Sequence, residues 1–172
     1  LFGLMVLFYG NPLLHPGMMS YSGDALRLFL PYTDLYRSSM YQGIIPLWNP
    51  MLRMGTPFLA TLQSAVLYPP QLISLLFSNP VQAMNFGVFI SIIWFTFGAY
   101  LFGVRALNLA RFPSLLMGVA LGASGFVGAH IDHANQIAAL SWIPWILTAT
   151  ILLLRKPKIK HVVELALCTA MQ

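Results

Sequence analysis

The amino-acid sequence predicts an all-α integral membrane protein, built as a polytopic bundle of transmembrane helices. Three observations lead to this fold class. Of the 172 residues, 58% are hydrophobic and only 8% are charged, whereas about 25% of the residues in an ordinary soluble domain are charged. Three apolar runs have roughly the length that crosses a bilayer, and the Lys and Arg residues gather beside such runs. So few charged side chains cannot form the polar coat that a soluble protein of this size needs.

The helices can be placed along the chain from its apolar runs. Residues 1–10 are predicted to be the end of a first transmembrane helix, and residues 159–172 the start of a fifth. Three complete transmembrane helices are predicted at residues 81–104, 112–129 and 134–154, because each stretch is mostly apolar and about 20 residues long. Since the chain begins and ends within apolar runs, we expect it to be the N-terminal fragment of one transmembrane domain.

The distribution of Lys and Arg predicts which loops face the cytoplasm. Short cytoplasmic loops are enriched in these residues, and they occur at Arg105, at Arg111 and four times in residues 155–160. The HIDHAN segment (residues 130–135) has neither, so we expect it to lie outside together with residues 11–80. Most of the ionisable side chains with catalytic potential then share the outer face, where they could meet. These are Asp24, Asp34, His130, Asp132 and His133.

Small residues and tryptophans mark the third and fourth predicted helices. Gly118, Gly122, Gly125 and Gly128 follow a small-residue spacing that favours tight helix packing, with a lipid-binding groove as the alternative. Trp142 and Trp145 are expected near the outer end of the fourth helix, where indole rings anchor helices at the headgroup level. The sequence therefore predicts structural roles for both motifs.

The long first extracytoplasmic loop, residues 11–80, is expected to contain interfacial helices. Residues 24–40 place their large apolar side chains on one helical arc, which favours a helix lying in the plane of the membrane surface. The opposite arc is charged and carries Asp24, Arg27, Asp34 and Arg37. Pro31 lies inside the segment, so we expect a broken or restarted helix.

The charged arc has two interpretations. Asp24 and Arg27, like Asp34 and Arg37, are three residues apart and can form surface ion pairs. Asp24 also follows a glycine and precedes a helical run, where an N-cap aspartate is common. Its position just after an apolar segment favours a functional role instead, because ionisable groups close to a bilayer are costly and usually functional.

The stretch after Pro46 contains too many prolines to be one regular element. We expect its aromatic side chains to pin the loop to the membrane surface and its polar side chains to remain available for contacts. The aromatic side chains are Trp48, Phe58 and Tyr68, and the polar ones are Asn49, Arg53 and Gln63.

Several short motifs resemble the YfhO-like family of bacterial membrane proteins. They are GD at residues 23–24, PLWNP at 46–50, GxPFLA at 55–60, QSAVxYP at 63–69, SGF at 124–126 and WxPW at 142–145. The resemblance covers about residues 23–145, and the block from PLWNP to YPP is its most specific part. It implies a GT-C-like fold in the bacterial cytoplasmic membrane. It also implies an enzyme, an inverting glycosyltransferase that moves a sugar from a polyprenyl-phosphate donor to a cell-envelope acceptor on the extracytoplasmic side.

The resemblance also implies a catalytic acidic residue in the first outer loop. Asp24 is the matching position and Asp34 the next candidate. Such a transfer needs a carboxylate as general base and cations near the leaving phosphate, for which Arg is well suited. The candidates for binding the donor phosphate are Arg27, Arg37 and Arg53; those for positioning the sugar are Asn49 and Gln63; and those for lining the substrate mouth are His130 and Asn135.

Cofactors and alternative functions remain open at the level of sequence. Imidazole and carboxylate groups of the HIDHAN segment, with Asp24, suit a divalent cation such as Mn²⁺ or Zn²⁺, and Mg²⁺ is a further candidate cofactor. A short polar turn has the same composition, however, and no residue is assigned as a metal ligand. A flippase or transporter for lipid-linked substrates and a non-catalytic envelope-assembly subunit are the alternatives. The dispersed cations do not form the basic stripe of a nucleic-acid-binding protein.

Overall fold

The computed structural model describes residues 1–15 and 23–172, which are mostly helical. The α-helices are α1 (Phe2–Tyr9), α2 (Asn11–Leu14), α3 (Leu30–Tyr41), α4 (Pro80–Leu101), α5 (Arg111–Gly122), α6 (Gly125–Ala129), α7 (Ala134–Leu140), α8 (Ile143–Arg155) and α9 (Ile159–Ala170). Two strands, β1 (Trp48–Asn49) and β2 (Thr56–Pro57), form a hairpin. Wide π-helical turns occupy Ala25–Phe29 and Phe102–Ala106, and 3₁₀-helices occupy Leu62–Ser64 and Pro69–Leu76.

Among the described residues, three helical segments are long and apolar enough to cross a membrane. They are Pro80–Ala106 with 27 residues, Arg111–Ala129 with 19 residues and Ala134–Arg155 with 22 residues. These segments agree with the three complete helices predicted from the sequence. The mostly helical fold class is therefore confirmed, together with three segments of membrane-spanning length and composition.

The chain divides into two compact units. Unit 1 comprises Leu1–Asn11, Phe89–Ile131 and Gln136–Gln172, and unit 2 comprises Pro12–Val88 and Asp132–Asn135. Unit 2 thus contains most of the predicted outer loop and four residues of the HIDHAN segment.

Tight helix packing explains two of the four glycines of the motif in unit 1, Gly118 and Gly122. A Cβ atom on Gly118 would lie 2.9 Å from the backbone oxygen of Thr96 in α4, and one on Gly122 would overlap the hydroxyl of the same threonine. A Cβ on Gly125 or Gly128 would have no such neighbour within 4 Å. The lipid-groove alternative is therefore wrong for Gly118 and Gly122, which are covered by α4.

The prediction that Trp142 and Trp145 lie near the outer end of the fourth helix is corrected by their positions in unit 1. Trp142 and Trp145 lie near the middle of the segment Ala134–Arg155, away from its end. The Trp145 ring stacks on Trp94 of α4 at 4.1 Å, and its indole N–H donates a hydrogen bond to the Trp94 carbonyl oxygen at 3.3 Å. Gly98 makes this approach possible, since a Cβ there would lie 2.5 Å from the Trp145 Nε1. The indole of Trp145 therefore joins α8 to α4 and does not mark the end of a span.

In unit 2, the predicted break at Pro31 takes the form of a wide turn. The Leu30 N–H donates to the Ala25 carbonyl oxygen, which closes the π-helical turn immediately before α3. A proline in a regular helix removes one hydrogen bond and clashes with the carbonyl four residues earlier. The wide turn places Pro31 in the first turn of α3, where a missing N–H is tolerated.

The apolar arc of α3 packs against the loop that follows it. Tyr32 and Tyr36 form a buried cluster with Phe58, whose ring meets that of Tyr32 edge-on at 5.1 Å. Phe58 is only 1% exposed, so the prediction that it pins the loop to the membrane is wrong. The protein itself thus covers this apolar face of α3.

The PLWNP and GxPFLA motifs form the hairpin. Trp48 pairs with Pro57 and Asn49 with Thr56. Gly55 has φ +114°, and a Cβ there would lie 2.6 Å from the Trp48 ring, so only glycine fits beneath this indole. The hairpin was not predicted, because two-residue strands flanked by prolines carry no alternating pattern of apolar residues.

Candidate functional site

A histidine between two carboxylates forms the candidate site in unit 2. The His133 Nδ1 lies 2.6 Å from Asp132 Oδ1, and the His133 Nε2 lies 3.5 Å from Asp24 Oδ2. The Asp24 side chain is 59% exposed, and those of His133 and Asp132 are 33% and 32% exposed. The group is therefore held by the fold and remains open to a substrate at Asp24. Its three residues are called the Asp24 cluster below.

Apolar packing brings the two parts of the cluster together. Ala25 and Phe29, directly after Asp24, are buried with Met84 of α4, and Ala134 packs against them. Since Ala134 follows His133 in the chain, this small core carries His133 to Asp24. The HIDHAN segment therefore reaches Asp24 through His133, as the sequence allowed, while the side of the membrane on which they meet stays a prediction.

The backbone conformation of Gly23, the residue before Asp24, positions the start of the cluster. Gly23 has φ +70°, a conformation that glycine adopts readily and other residues rarely. Its carbonyl oxygen accepts a hydrogen bond from the Arg27 N–H at 3.1 Å. A Cβ at Gly23 would contact Asp132 Oδ2 at 3.4 Å. The GD motif therefore combines a turn-forming glycine with the carboxylate that it presents.

The structural interpretations of Asp24 do not hold. It occupies the N-cap position of the wide turn but makes no side-chain capping hydrogen bond. Within the described residues, the expected ion pairs of Asp24 with Arg27 and of Asp34 with Arg37 are both absent. Asp24 faces His133 instead, so its carboxylate is not used in capping the helix.

The hydrogen-bonding roles in the cluster depend on which ring nitrogen of His133 carries the proton. A neutral imidazole has one N–H and one acceptor nitrogen, and both of its nitrogens here face carboxylate oxygens. One of the two contacts then places acceptor against acceptor unless an additional proton is present. The arrangement thus places a carboxylate at each nitrogen of the His133 ring.

Asp34 and Arg37, adjacent on the predicted charged arc, have different surroundings. Asp34 is exposed. Arg37 is only 3% exposed, and its guanidinium donates to the carbonyl oxygens of Ser74, at 2.9 Å, and Phe77. It also contacts the Tyr41 hydroxyl at 3.3 Å. The expectation that Arg37 lies on an open polar arc is therefore wrong, because the 3₁₀-helix Pro69–Leu76 and the residue after it cover this arginine.

The remaining loop candidates differ in accessibility. Asn49 is 6% exposed, and its Oδ1 accepts a hydrogen bond from the Met51 N–H at 3.0 Å, so this side chain builds the hairpin turn. Arg27, Arg53 and Gln63 are exposed. The structure brings none of these three side chains into an ion pair or side-chain hydrogen bond within its described residues.

The two candidates from the HIDHAN segment lie in different units. Asn135 is in the first turn of α7, two residues after His133, and belongs to unit 2. His130 belongs to unit 1. Its ring stacks on Phe126 at 4.1 Å, and its Nδ1 lies 2.9 Å from the Phe126 carbonyl oxygen.

From the sequence, His130 and Asn135 were predicted to line the site; in the structure the His133 ring lies 3.5 Å from Asp24, and Asp132 contacts His133. The topology placed all of these residues on one face, but which imidazole would turn toward Asp24 depends on the packing of Ala134. No group of three or more His, Cys, Asp or Glu side chains among the described residues is arranged to hold a metal ion.

Comparison of the chain with models of protein families, with curated proteins and with solved structures finds no match. The resemblance to the YfhO-like family therefore rests on the short motifs alone.

Proposed function

We propose that this chain is part of an inverting membrane glycosyltransferase of the GT-C type. It moves a sugar from a polyprenyl-phosphate donor to a cell-envelope acceptor on the extracytoplasmic side of the bacterial cytoplasmic membrane. The observation that supports this proposal most strongly is the exposed Asp24 carboxylate, held beside His133 and free of the capping role that its position would suggest. The family resemblance supplies the substrate class.

In the proposed reaction, Asp24 is the general base. It takes the proton of an acceptor hydroxyl while the acceptor oxygen bonds to the anomeric carbon. The bond between that carbon and the phosphate oxygen breaks, and the polyprenyl phosphate leaves with the electron pair. The proton then resides on the Asp24 carboxyl group, which lies 3.5 Å from the His133 Nε2. Asp132 acts through His133, because its carboxylate fixes the imidazole by the contact at Nδ1.

Binding of the donor phosphate is assigned to Arg27. Its guanidinium is exposed and lies within one helical turn of Asp24, and a planar guanidinium grips phosphate oxygens with two hydrogen bonds. Arg37 is not assigned this role, since its guanidinium is buried against backbone carbonyls. Gln63 and Asn135 are kept as candidates for contacts with the sugar hydroxyls.

The experiment is a transfer assay with the protein reconstituted in vesicles. Polyprenyl-phosphate donors carrying radiolabelled sugars are incubated with envelope acceptors, with and without EDTA. The proposal predicts labelled acceptor that depends on the protein, and the EDTA arm decides whether a divalent cation takes part. Movement of a lipid-linked substrate across the vesicle membrane without any transfer would instead support a flippase, and absence of both activities would support an assembly subunit.

A further inference from the structure

The tip of the hairpin exposes large apolar side chains. Met51 is 87% exposed and Trp48 is 55% exposed, while Met54 is fully exposed. These residues lie outside the three membrane-spanning segments. Side chains of this kind gathered on one short turn indicate an interaction surface. The segment of residues 48–57 is called the apolar hairpin below.

Hydrogen bonds hold the apolar hairpin in a defined conformation. The Asn49 side chain holds the Met51 N–H, and the Gly55 N–H donates to the Leu52 carbonyl oxygen at 2.8 Å. At its base, the Phe58 N–H donates to the Leu47 carbonyl oxygen at 2.8 Å. The exposed side chains are therefore presented by an ordered turn.

Charge and placement indicate what covers this surface. Arg53 lies at the tip and is the only charged residue between positions 38 and 104. No carboxylate in that stretch would repel anionic phosphates, and Arg binds such groups well. Unit 2 also contains residues 80–88, the start of the membrane-spanning segment Pro80–Ala106. The unit that carries the hairpin is thus tethered directly to a membrane-spanning helix.

We propose that the apolar hairpin inserts into the lipid surface, with Trp48, Met51 and Met54 among the acyl chains and headgroups and Arg53 on anionic lipid phosphates. An indole suits this boundary because it has an apolar ring and one N–H donor. This role is independent of the proposed sugar transfer and holds for a membrane protein of any activity.

The test places an environment-sensitive fluorophore on single cysteines of the full protein in a Cys168→Ser background. Met54→Cys probes the tip, and Ser38→Cys, an exposed position on α3, is the matched control in the same unit. The vesicles contain phosphatidylcholine with phosphatidylglycerol and lipids that carry a quencher in the acyl chain.

The proposal predicts a blue-shifted emission at position 54 and at least about twofold stronger quenching by lipid there than at position 38, as expected of a side chain buried among acyl chains. Arg53→Gln should reduce this quenching in vesicles with phosphatidylglycerol and leave it unchanged in pure phosphatidylcholine. An emission maximum at position 54 typical of a water-exposed fluorophore would overturn the proposal. A blue shift without quenching by lipid would also overturn it, since another part of the protein would then cover the hairpin.

Discussion

At the scale of single residues, the central feature is one imidazole that faces a carboxylate on each side. Asp132 lies at the hydrogen-bonding distance of 2.6 Å from His133, whereas Asp24 lies at 3.5 Å and is the more exposed of the two acids. The shorter contact fixes the ring, and the longer one leaves Asp24 room to approach a substrate hydroxyl. The two aspartates therefore have different proposed roles, positioning for Asp132 and proton transfer for Asp24.

Replacing Asp132 by Asn tests the positioning role. The amide keeps the shape of the side chain but loses the charge that orients the imidazole. We expect kcat for sugar transfer to fall by about 10- to 100-fold, by analogy with other residues that orient a functional histidine. KM for the polyprenyl-phosphate donor should stay unchanged, because Asp132 is not assigned to donor binding. A rise in KM with kcat intact would contradict this role.

At the scale of elements, a buried arginine joins α3 to the segment after the hairpin. Arg37 donates to the carbonyl oxygens of Ser74 and Phe77, and the Tyr41 hydroxyl donates to Leu75 O at 2.7 Å. These contacts supply additional donors to carbonyl groups at the end of the 3₁₀-helix Pro69–Leu76, where Ser74 O also accepts a hydrogen bond from the Phe77 N–H at 3.4 Å.

Replacing Arg37 by Met should therefore destabilise unit 2. The apolar substitute fills part of the volume but removes two charge-assisted hydrogen bonds to the Ser74 and Phe77 carbonyl oxygens, at a cost of about 2–5 kcal/mol. Thermal unfolding in detergent should show a clear drop in Tm. Arg27→Met is the matched control, because the Arg27 guanidinium is exposed, and it should leave Tm nearly unchanged. Equal Tm values for the two variants would show that Arg37 has no structural role.

The glycine motif gives a second prediction for elements. Gly122→Val should push α5 away from α4, because its side chain would overlap Thr96, with an expected loss of about 1–3 kcal/mol. Gly128→Val enters open space and should be tolerated. Thermal unfolding in detergent compares the two variants directly. A Gly128→Val protein as unstable as Gly122→Val would argue against this packing.

The sequence predicts these elements unevenly. Long apolar runs identified the three described segments that are long and apolar enough to span a membrane, since length and lack of charge can be read directly from the sequence. The burial of Arg37 was not predictable, because helical periodicity placed it among exposed charges and its partners are backbone carbonyls nearly forty residues away. His133 was expected to share a face with Asp24, but His130 was assigned to the site in its place, for a related reason. The choice between His130 and His133 is decided by tertiary packing around Ala134, which no local pattern records.

At the scale of the whole molecule, the proposed function requires the Asp24 cluster to face the outside of the cell. The cations at Arg105, at Arg111 and in residues 155–160 predict that orientation. Every member of the Asp24 cluster belongs to unit 2, which also contains the exposed Gln63. One accessible position in unit 2 can therefore report on the side of the membrane where the cluster lies.

Labelling of engineered cysteines tests this orientation. In a Cys168→Ser background, Gln63→Cys should react with a membrane-impermeant maleimide added to intact cells. Lys156→Cys should react only after the membrane is permeabilised, because the cationic loop is predicted to be cytoplasmic. The opposite pattern would place the Asp24 cluster on the cytoplasmic side, where a reaction with an envelope acceptor outside the cell cannot occur.

The most direct measurement of the proposed chemistry compares sugar transfer by Asp24→Asn with transfer by Asp34→Asn in the reconstituted protein. Both changes remove one carboxylate from the same helical segment, but only Asp24 contacts His133. We expect Asp24→Asn to lower kcat by about 10²- to 10⁴-fold, the range for loss of a general base. Asp34→Asn should retain nearly full activity. Undiminished transfer by the Asp24→Asn protein would contradict the assignment of Asp24 as the base.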